Sequence, residues 1–304
     1  MKVELRDIYK RYGEVRACDG ISVCFEAGQI HGLLGENGAG KSTLMKILSG
    51  YITADSGEIL LDDQLQRFTS PARALAAGVG MLHQDPLDFP GLSVVDNLLL
   101  GSPGPLVPHR PRVYQTLREL AGQFDFRLDF DARVGDLSVG QRQQLEILRL
   151  LWLGARVLIL DEPTTAISAQ QKERLFATLR VLAEQGKVII FVSHKLEEVQ
   201  EICQRVTVLA RGRVTGEVEL PCPTSRLVQM MFGQDVEVRK RKPLPPGETL
   251  LELDHLTVSD GFMEIRDLSL QVKVGEVIGL AGLEGSGQRL FLQACCGLVK
   301  PVSG

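Results

Sequence analysis

The chain has 304 residues, 44% hydrophobic and 24% charged, with a net charge of −4. That length supports one or two domains with a sizeable core, and the acid-leaning balance offers no electrostatic footprint for nucleic acid. Residues 1–10 alternate charged and apolar side chains, unlike a signal peptide, and no apolar run reaches the roughly 18 residues of a membrane span.

In chain order, 3–9 and 21–25 alternate as half-buried strands do, punctuated by Gly13 and Gly28. Tyr12 lies between them in a K-R-Y-G turn, where an aromatic either packs half-buried or stacks on a base. Residues 29–34 read as a short buried strand, 35–43 as the loop G-E-N-G-A-G-K-S-T, and 44–48 as a helix. Strand, glycine-rich loop, Lys-Ser/Thr and helix is the phosphate-cradling P-loop. Gly35, Gly38 and Gly40 let the backbone of Glu36, Asn37, Ala39 and Thr43 curl with N–H groups inward. Lys41 supplies positive charge, and the Ser42 hydroxyl is a hard oxygen ligand for Mg²⁺.

Residues 58–62 form another strand, 70–77 a capped helix with Pro71 first, and 79–83 a strand ending at Gln84. Gln84 is either a polar loop residue or an amide offered to a metal or water. From 87 to about 153 the chain is helical, with a Pro/Gly-rich break over 101–111. Within it, L-S-V-G-Q (137–141) precedes a helix over 144–153. Ser138 and Gln141 have capping-box spacing, which leaves Gly140 unexplained except as bare backbone suited to an anion.

V-L-I-L (157–160) reads as a central parallel strand, ending in Asp161 and Glu162. Two acids there suit a Mg²⁺–water partner and a base for the attacking water. A helix over 171–184 leads to a second apolar strand, 187–192, which ends in Ser193 and His194, a histidine that is either a satisfied structural residue or a γ-phosphate sensor. A helix over 196–203 and strands over 206–209 and 213–218 follow. Prolines 221, 223, 243, 245 and 246 mark a linker around a short helix near 226–231. The cysteines at 18, 24, 203, 222, 295 and 296 contain no C-x-x-C pair and read as reduced thiols.

Residues 250–304 then repeat 3–57: Gly275, 282, 285, 287, 297 and 304 fall where Gly28, 35, 38, 40, 50 and 57 fell. In the second loop, G-L-E-G-S-G-Q-R, Gln288 replaces the lysine and Arg289 the serine. A neutral amide lacks the charge of Lys41 and a guanidinium cannot coordinate Mg²⁺, so this loop holds nucleotide weakly or only keeps the fold. The chain reads as truncated within the second copy.

The set of P-loop, Gln84, L-S-V-G-Q, V-L-I-L-D-E-P-T and His194, in that order, resembles the nucleotide-binding subunit of ABC transporters over about 3–218. The two half-repeats, G-E-N-G-A-G-K-S-T-L-M-K and the H-Q after the third strand resemble the fused ATPases of simple-sugar importers and their nucleoside-importing relatives. S-V-G-Q-R-Q-Q-L-E-I-L, G-A-R-V-L-I-L-D-E-P-T and the second loop are closer to the nucleoside group.

The resemblance implies an α/β fold: a mostly parallel core sheet flanked by helices, an antiparallel β subdomain and a helical subdomain, plus the start of a second copy. The domains would be 1–220, a linker 221–249, and 250–304. Tyr12 would stack on adenine and 35–43 would hold the phosphates. Ser42, Gln84 and Asp161 would serve Mg²⁺, Glu162 would be the base and His194 the switch. Ser138, Gly140 and Gln141 would cap ATP held by an opposing domain, either the second ABC domain or another copy.

The implied function is ATP hydrolysis coupled to solute import, at the cytoplasmic face of the membrane, with permease subunits and a solute-binding protein. Two rivals are a nucleotide-gated binding module without turnover and a soluble non-transport ABC ATPase, which would carry two intact P-loops. One departure is T-A-I-S at 165–168, which places Ser168 where the family has aspartate.

Overall fold

The computed structural model describes residues 1–83, 88–100, 110–165, 167–233, 247–261, 263–282 and 285–304. The chain divides into two compact units, Met1–Val236 and Glu237–Gly304. The first opens with β1 (Lys2–Tyr12), β2 (Val15–Glu26), β3 (Ile30–Leu34), α1 (Lys41–Leu48), β4 (Ser56–Leu61) and β5 (Gln64–Gln66). It continues with α2 (Pro71–Ala76), β6 (Val79–Leu82), α3 (Val94–Leu99), α4 (Arg110–Gln123), a 3-10 turn (Val134–Asp136) and α5 (Val139–Trp152). It closes with β7 (Val157–Asp161), α6 (Ala169–Glu184), β8 (Val188–Ser193), α7 (Leu196–Ile202), β9 (Arg205–Ala210), β10 (Arg213–Glu219) and α8 (Thr224–Phe232).

Two sheets organise this unit. An antiparallel sheet has the order β2-β1-β4-β5, and a six-stranded sheet the order β10-β9-β3-β8-β7-β6. In the larger sheet β9, β3, β8, β7 and β6 run parallel, and β10 returns antiparallel at the edge. The apolar runs of β7 and β8 are what a strand covered on both faces requires. Their alternate residues serve different cores. Val157, Ile159, Val188, Ile190 and Val192 join the antiparallel sheet and α1 in one. Leu158, Leu160, Ile189 and Phe191 join α5, α6 and α7 in the other. Parallel strands also bring their carboxyl ends to one edge, the usual place for a ligand in such sheets. The glycine-rich loop, Asp161 and His194 all follow strands at that edge.

The helical stretch builds on the second core. Val94 and Leu98 of α3 and Val113 and Leu117 of α4 are buried with Leu145 and Leu148 of α5. The segment 101–109, most of the expected Pro/Gly-rich break, lies outside the described residues, as does Gln84. Leu227 and Met231 of α8 are buried against β9 and β10. The first unit therefore extends beyond 220 to include the helix that the sequence placed in a linker.

His31 on β3 is 2% exposed. Its Nε2 lies 2.8 Å from Thr207 Oγ1, and its ring meets Phe25 edge-on. Burial pushes its pKa down to about 3. The unfolded chain takes up a proton below about 6.5 that the folded chain refuses, so this residue adds no pH dependence above 6.5. Stability falls as pH drops from 6.5 toward 3, by up to about 1.4 kcal/mol per unit. Urea unfolding at pH 7 and pH 5 should show His31→Gln losing about 2 kcal/mol less than the wild type over that interval.

The second unit holds β11 (Thr249–Ser259), β12 (Glu264–Lys273) and α9 (Gln288–Cys295), with β11 and β12 paired antiparallel as β1 and β2 are. The backbone repeats with the sequence. Gly285 and Gly38 both have φ +83°, Gly287 and Gly40 have +100° and +103°, and Gly304 and Gly57 have +102° and +108°.

Candidate functional site

The loop between β3 and α1 is shaped by backbone on three sides. A Cβ at Gly35 would lie 2.3 Å from the Leu209 carbonyl oxygen, and one at Gly40 2.3 Å from that of Ala17. Only glycine fits either position, and Gly40 also needs its positive φ. The Ala39 carbonyl accepts from Gly212 N–H at 3.0 Å, so the β9–β10 turn pins the loop's far side. Glu36, Asn37 and Gly38 are exposed, Ala39, Gly40 and Lys41 are buried, and Ser42 and Thr43 are half-buried at the start of α1.

Lys41 is 5% exposed. Its ammonium donates to the carbonyl oxygens of Gly35 at 2.7 Å and Glu36 at 2.9 Å. Burial lowers its pKa, and the nearby charges of Glu162, Asp161 and Glu36 oppose that shift. Ser42 Oγ faces Asp161 Oδ1 at 3.4 Å. Asp161 is buried, and desolvation raises its pKa against the Ser42 hydrogen bond, with the Glu162 charge adding to the rise. A buried ammonium beside bare loop amides suits an anion, and a desolvated carboxylate facing a hydroxyl suits a hard cation. The donor set thus fits a phosphate with Mg²⁺. Among the described residues no group of three or more His, Cys, Asp or Glu could hold a metal by itself, so such an ion would need phosphate or water oxygens to complete its shell.

Glu162 has φ +48°, the left-handed region that a non-glycine residue adopts only under constraint. Its N–H donates to Val192 O at 3.0 Å, which extends the β7–β8 pairing by one residue. His194 Nδ1 lies 2.8 Å from Glu162 Oε1. A carboxylate only accepts, so the imidazole holds its proton on Nδ1. The structure therefore brings Lys41, Ser42, Asp161, Glu162 and His194 to the ends of three adjacent strands.

Tyr12 is the last residue of β1 and not part of the turn. It is 47% exposed, with Lys10 Nζ 5.6 Å from its ring centroid. The β1–β2 hairpin reaches the loop through Ala17, whose carbonyl abuts Gly40.

The L-S-V-G-Q stretch sits elsewhere. Ser138 caps α5, and it forms the reciprocal capping box with Gln141. The helix accordingly begins at Val139, five residues before the expected 144, so Gly140 lies in its first turn. Ser138 is exposed and Val139 is 50% exposed. Gly140 is buried against the Gln171 side chain, which a Cβ would strike at 2.4 Å. A cavity of about 540 Å³ lies beside these residues, also lined by Phe124, Gln143 and Gln171.

A family described as ABC transporter matches residues 18–165. The match falls within the first unit and takes in the 35–43 loop, the L-S-V-G-Q stretch, Asp161 and Glu162. The ribose import ATP-binding protein of Rubrobacter xylanophilus is 43% identical over 99% of this chain and 60% of its own length. The nucleoside import ATP-binding protein of Lactococcus lactis is 35% identical over 99% of this chain and 61% of its own length. The chain thus spans about 60% of the length of the curated relatives it matches. Whole-chain identity is higher to the ribose import relative than to the nucleoside import relative, the reverse of the order that the short stretches suggest. A nucleotide-free ATP-binding cassette from an ABC transporter superposes with TM-score 0.66 at 23% identity, covering 76% of this chain and 98% of that one, which shows the fold.

Three supports of this site were not evident from sequence. Gln143 Nε2 donates to Pro163 O at 2.6 Å, tying α5 to the turn after Glu162. Gln171 backs Gly140, as above. Ser168 caps α6 in a capping box with Gln171. Only this last had a readable signal, the S-x-x-Q spacing.

In the second unit, Gln288 stands at the start of α9 where Lys41 starts α1, with its amide against Gly282. Among the described residues no helix is long and apolar enough to cross a membrane.

Proposed function

We propose that the chain binds Mg²⁺-ATP at the 35–43 loop and hydrolyses it, as the ATP-binding subunit of an importer of simple sugars or nucleosides. The observation that carries this reading is the convergence of Lys41, the Ser42–Asp161 pair and the Glu162–His194 pair at one edge of the parallel sheet. Mg²⁺, held by Ser42, Gln84 and Asp161, would neutralise phosphate charge. Lys41 exchanges its loop carbonyl acceptors for phosphate oxygens, and the loop amides orient them. Glu162 takes the proton of the attacking water, and His194 holds that carboxylate through Nδ1. Tyr12 stacks on the base. Partner permease subunits and a solute-binding protein would place the chain peripherally at the cytoplasmic face of the membrane. The curated relatives at 43% and 35% identity, which carry import names, support the transport role.

Ser138 and Gln141 direct their side-chain hydrogen bonds to capping α5, and Gly140 lies between them in its first turn. All three would complete a site on an opposing domain, and half-exposed Val139 fits such a contact surface. Specific ATPase activity of this chain should therefore rise with protein concentration and vanish in Glu162→Gln. Activity that is independent of concentration would remove the opposing-domain role of the signature. ATP binding without turnover at any concentration would reduce the chain to a nucleotide-binding module.

A further inference from the structure

Glu198 on α7 is 7% exposed, whereas its neighbour Glu197 faces solvent. A buried carboxylate is unfavourable unless its oxygens are satisfied, and here both are. Thr164 Oγ1 donates to Oε2 at 2.6 Å, and Lys195 Nζ donates to Oε1 at 3.0 Å. Lys195 Nζ also lies 3.4 Å from Thr164 Oγ1, which closes a three-membered cluster. Thr164 is 6% exposed and two residues past Glu162, and Lys195 directly follows His194. One buried carboxylate thus grips the two segments that present the Glu162–His194 pair.

The pair needs such a grip. Glu162 sits at φ +48° in a turn whose conformation must be imposed by its surroundings. Thr165 holds that turn locally, through its N–H and hydroxyl to the Glu162 carbonyl at 3.3 and 3.1 Å. Neither contact reaches the His194 segment. The Glu198 cluster does, beyond the end of the β7–β8 pairing, where Glu162 N–H donates to Val192 O.

We propose that Glu198 is a positioning residue, which keeps Glu162 and His194 in hydrogen-bonded register by clamping Thr164 and Lys195 together. The role of that pair in turnover rests on the function above, but its geometry does not. Glu198→Gln leaves an amide of the same shape without the charge, whose NH₂ either faces the Lys195 ammonium, donor against donor, or reverses the Thr164 bond and leaves a neutral oxygen as the acceptor for Lys195. Thr164→Val removes the hydroxyl at constant volume, and Thr164→Ser retains it.

The test is NMR of the five histidine rings in the full chain without nucleotide, with the His194 signal assigned by its loss in His194→Ala. Glu198→Gln and Thr164→Val should each shift or broaden the His194 ring signal and leave that of buried His31 in place. The double variant should go no further than either single one, and Thr164→Ser should match the wild type. In steady state the two variants should lose about tenfold to a hundredfold in kcat, as expected of a misplaced reacting group, with KM for ATP within about twofold. A His194 signal unmoved in both variants overturns the proposal. So does movement of His194 and His31 together, the mark of general loosening. The NMR readout needs no ATP, so a chain unable to turn ATP over would count against the proposed function and leave this result standing.

Discussion

Glu162→Gln is expected to lower ATP turnover by about 10²- to 10⁴-fold, the range a positioned general base contributes, while ATP still binds. The substitution keeps the size of the side chain and its ability to accept from His194 Nδ1, now 2.8 Å from Oε1. What it removes is the capacity to accept a proton from water. Lys41 is held by the carbonyl oxygens of Gly35 and Glu36, bonds that the substitution does not touch. The negative charge of Glu162 does help to keep Lys41 protonated, so its loss should leave nucleotide affinity equal or slightly changed, within a few-fold.

His194→Ala should cost less than Glu162→Gln, because it frees the carboxylate without removing it. The double variant should be no slower than Glu162→Gln alone, since groups acting as one unit are not additive. Single-turnover kinetics with a fluorescent ATP analogue separates the two effects. Wild-type turnover in Glu162→Gln would take the base role from this residue.

The parts of the site readable in sequence are those where chemistry restricts the residue type within a short window. Lys41 and Ser42 must open α1, Asp161 must close β7 with Glu162 directly after it, and His194 must follow β8. Each lies beside an apolar run whose burial on both faces is visible in its composition. The internal repeat was readable for a related reason. Gly40 and Gly287 share a left-handed backbone that other residues adopt only with strain, so the fold marks those positions in the sequence.

The parts that were not readable depend on contacts far apart in the chain. The need for glycine at 35 and 40 comes from Leu209 and Ala17 carbonyls as well as from phosphate access. The burial of Glu198 depends on Thr164, 34 residues away. Helix α8 looked like linker because prolines flank it, yet Leu227 and Met231 reach the core. The early start of α5 was hidden by the glycine at 140, which weakens the helical pattern and is required by the Gln171 side chain behind it.

Lys41→Met should abolish measurable ATP binding at micromolar nucleotide. The ammonium is 5% exposed and is held by two carbonyl oxygens that a phosphate can replace. Truncating one side of a buried, hydrogen-bonded charge pair costs about 2 to 5 kcal/mol, which raises Kd on the order of 30- to 4,000-fold. Methionine keeps most of the stem, so the packing of Leu44 and Leu48 on α1 is retained.

Stability should change little, because two opposing effects are removed together. The variant loses hydrogen bonds to Gly35 and Glu36, each worth about 1.5 to 3 kcal/mol to a charged donor. It also escapes the desolvation that lowers the Lys41 pKa. A near-unchanged unfolding midpoint with lost binding is therefore the signature of a ligand-facing charge, and a collapse of stability would mark Lys41 as structural.

The same shift gives a second check on the wild type. The charged form of Lys41 attracts phosphate and the neutral amine does not, so affinity measured without Mg²⁺ should fall as pH rises toward the lowered pKa, beginning below the usual lysine range. Any residual binding by Lys41→Met at millimolar nucleotide should lack that alkaline fall. Retained micromolar binding in Lys41→Met, with the alkaline fall intact, would place the nucleotide away from the 35–43 loop.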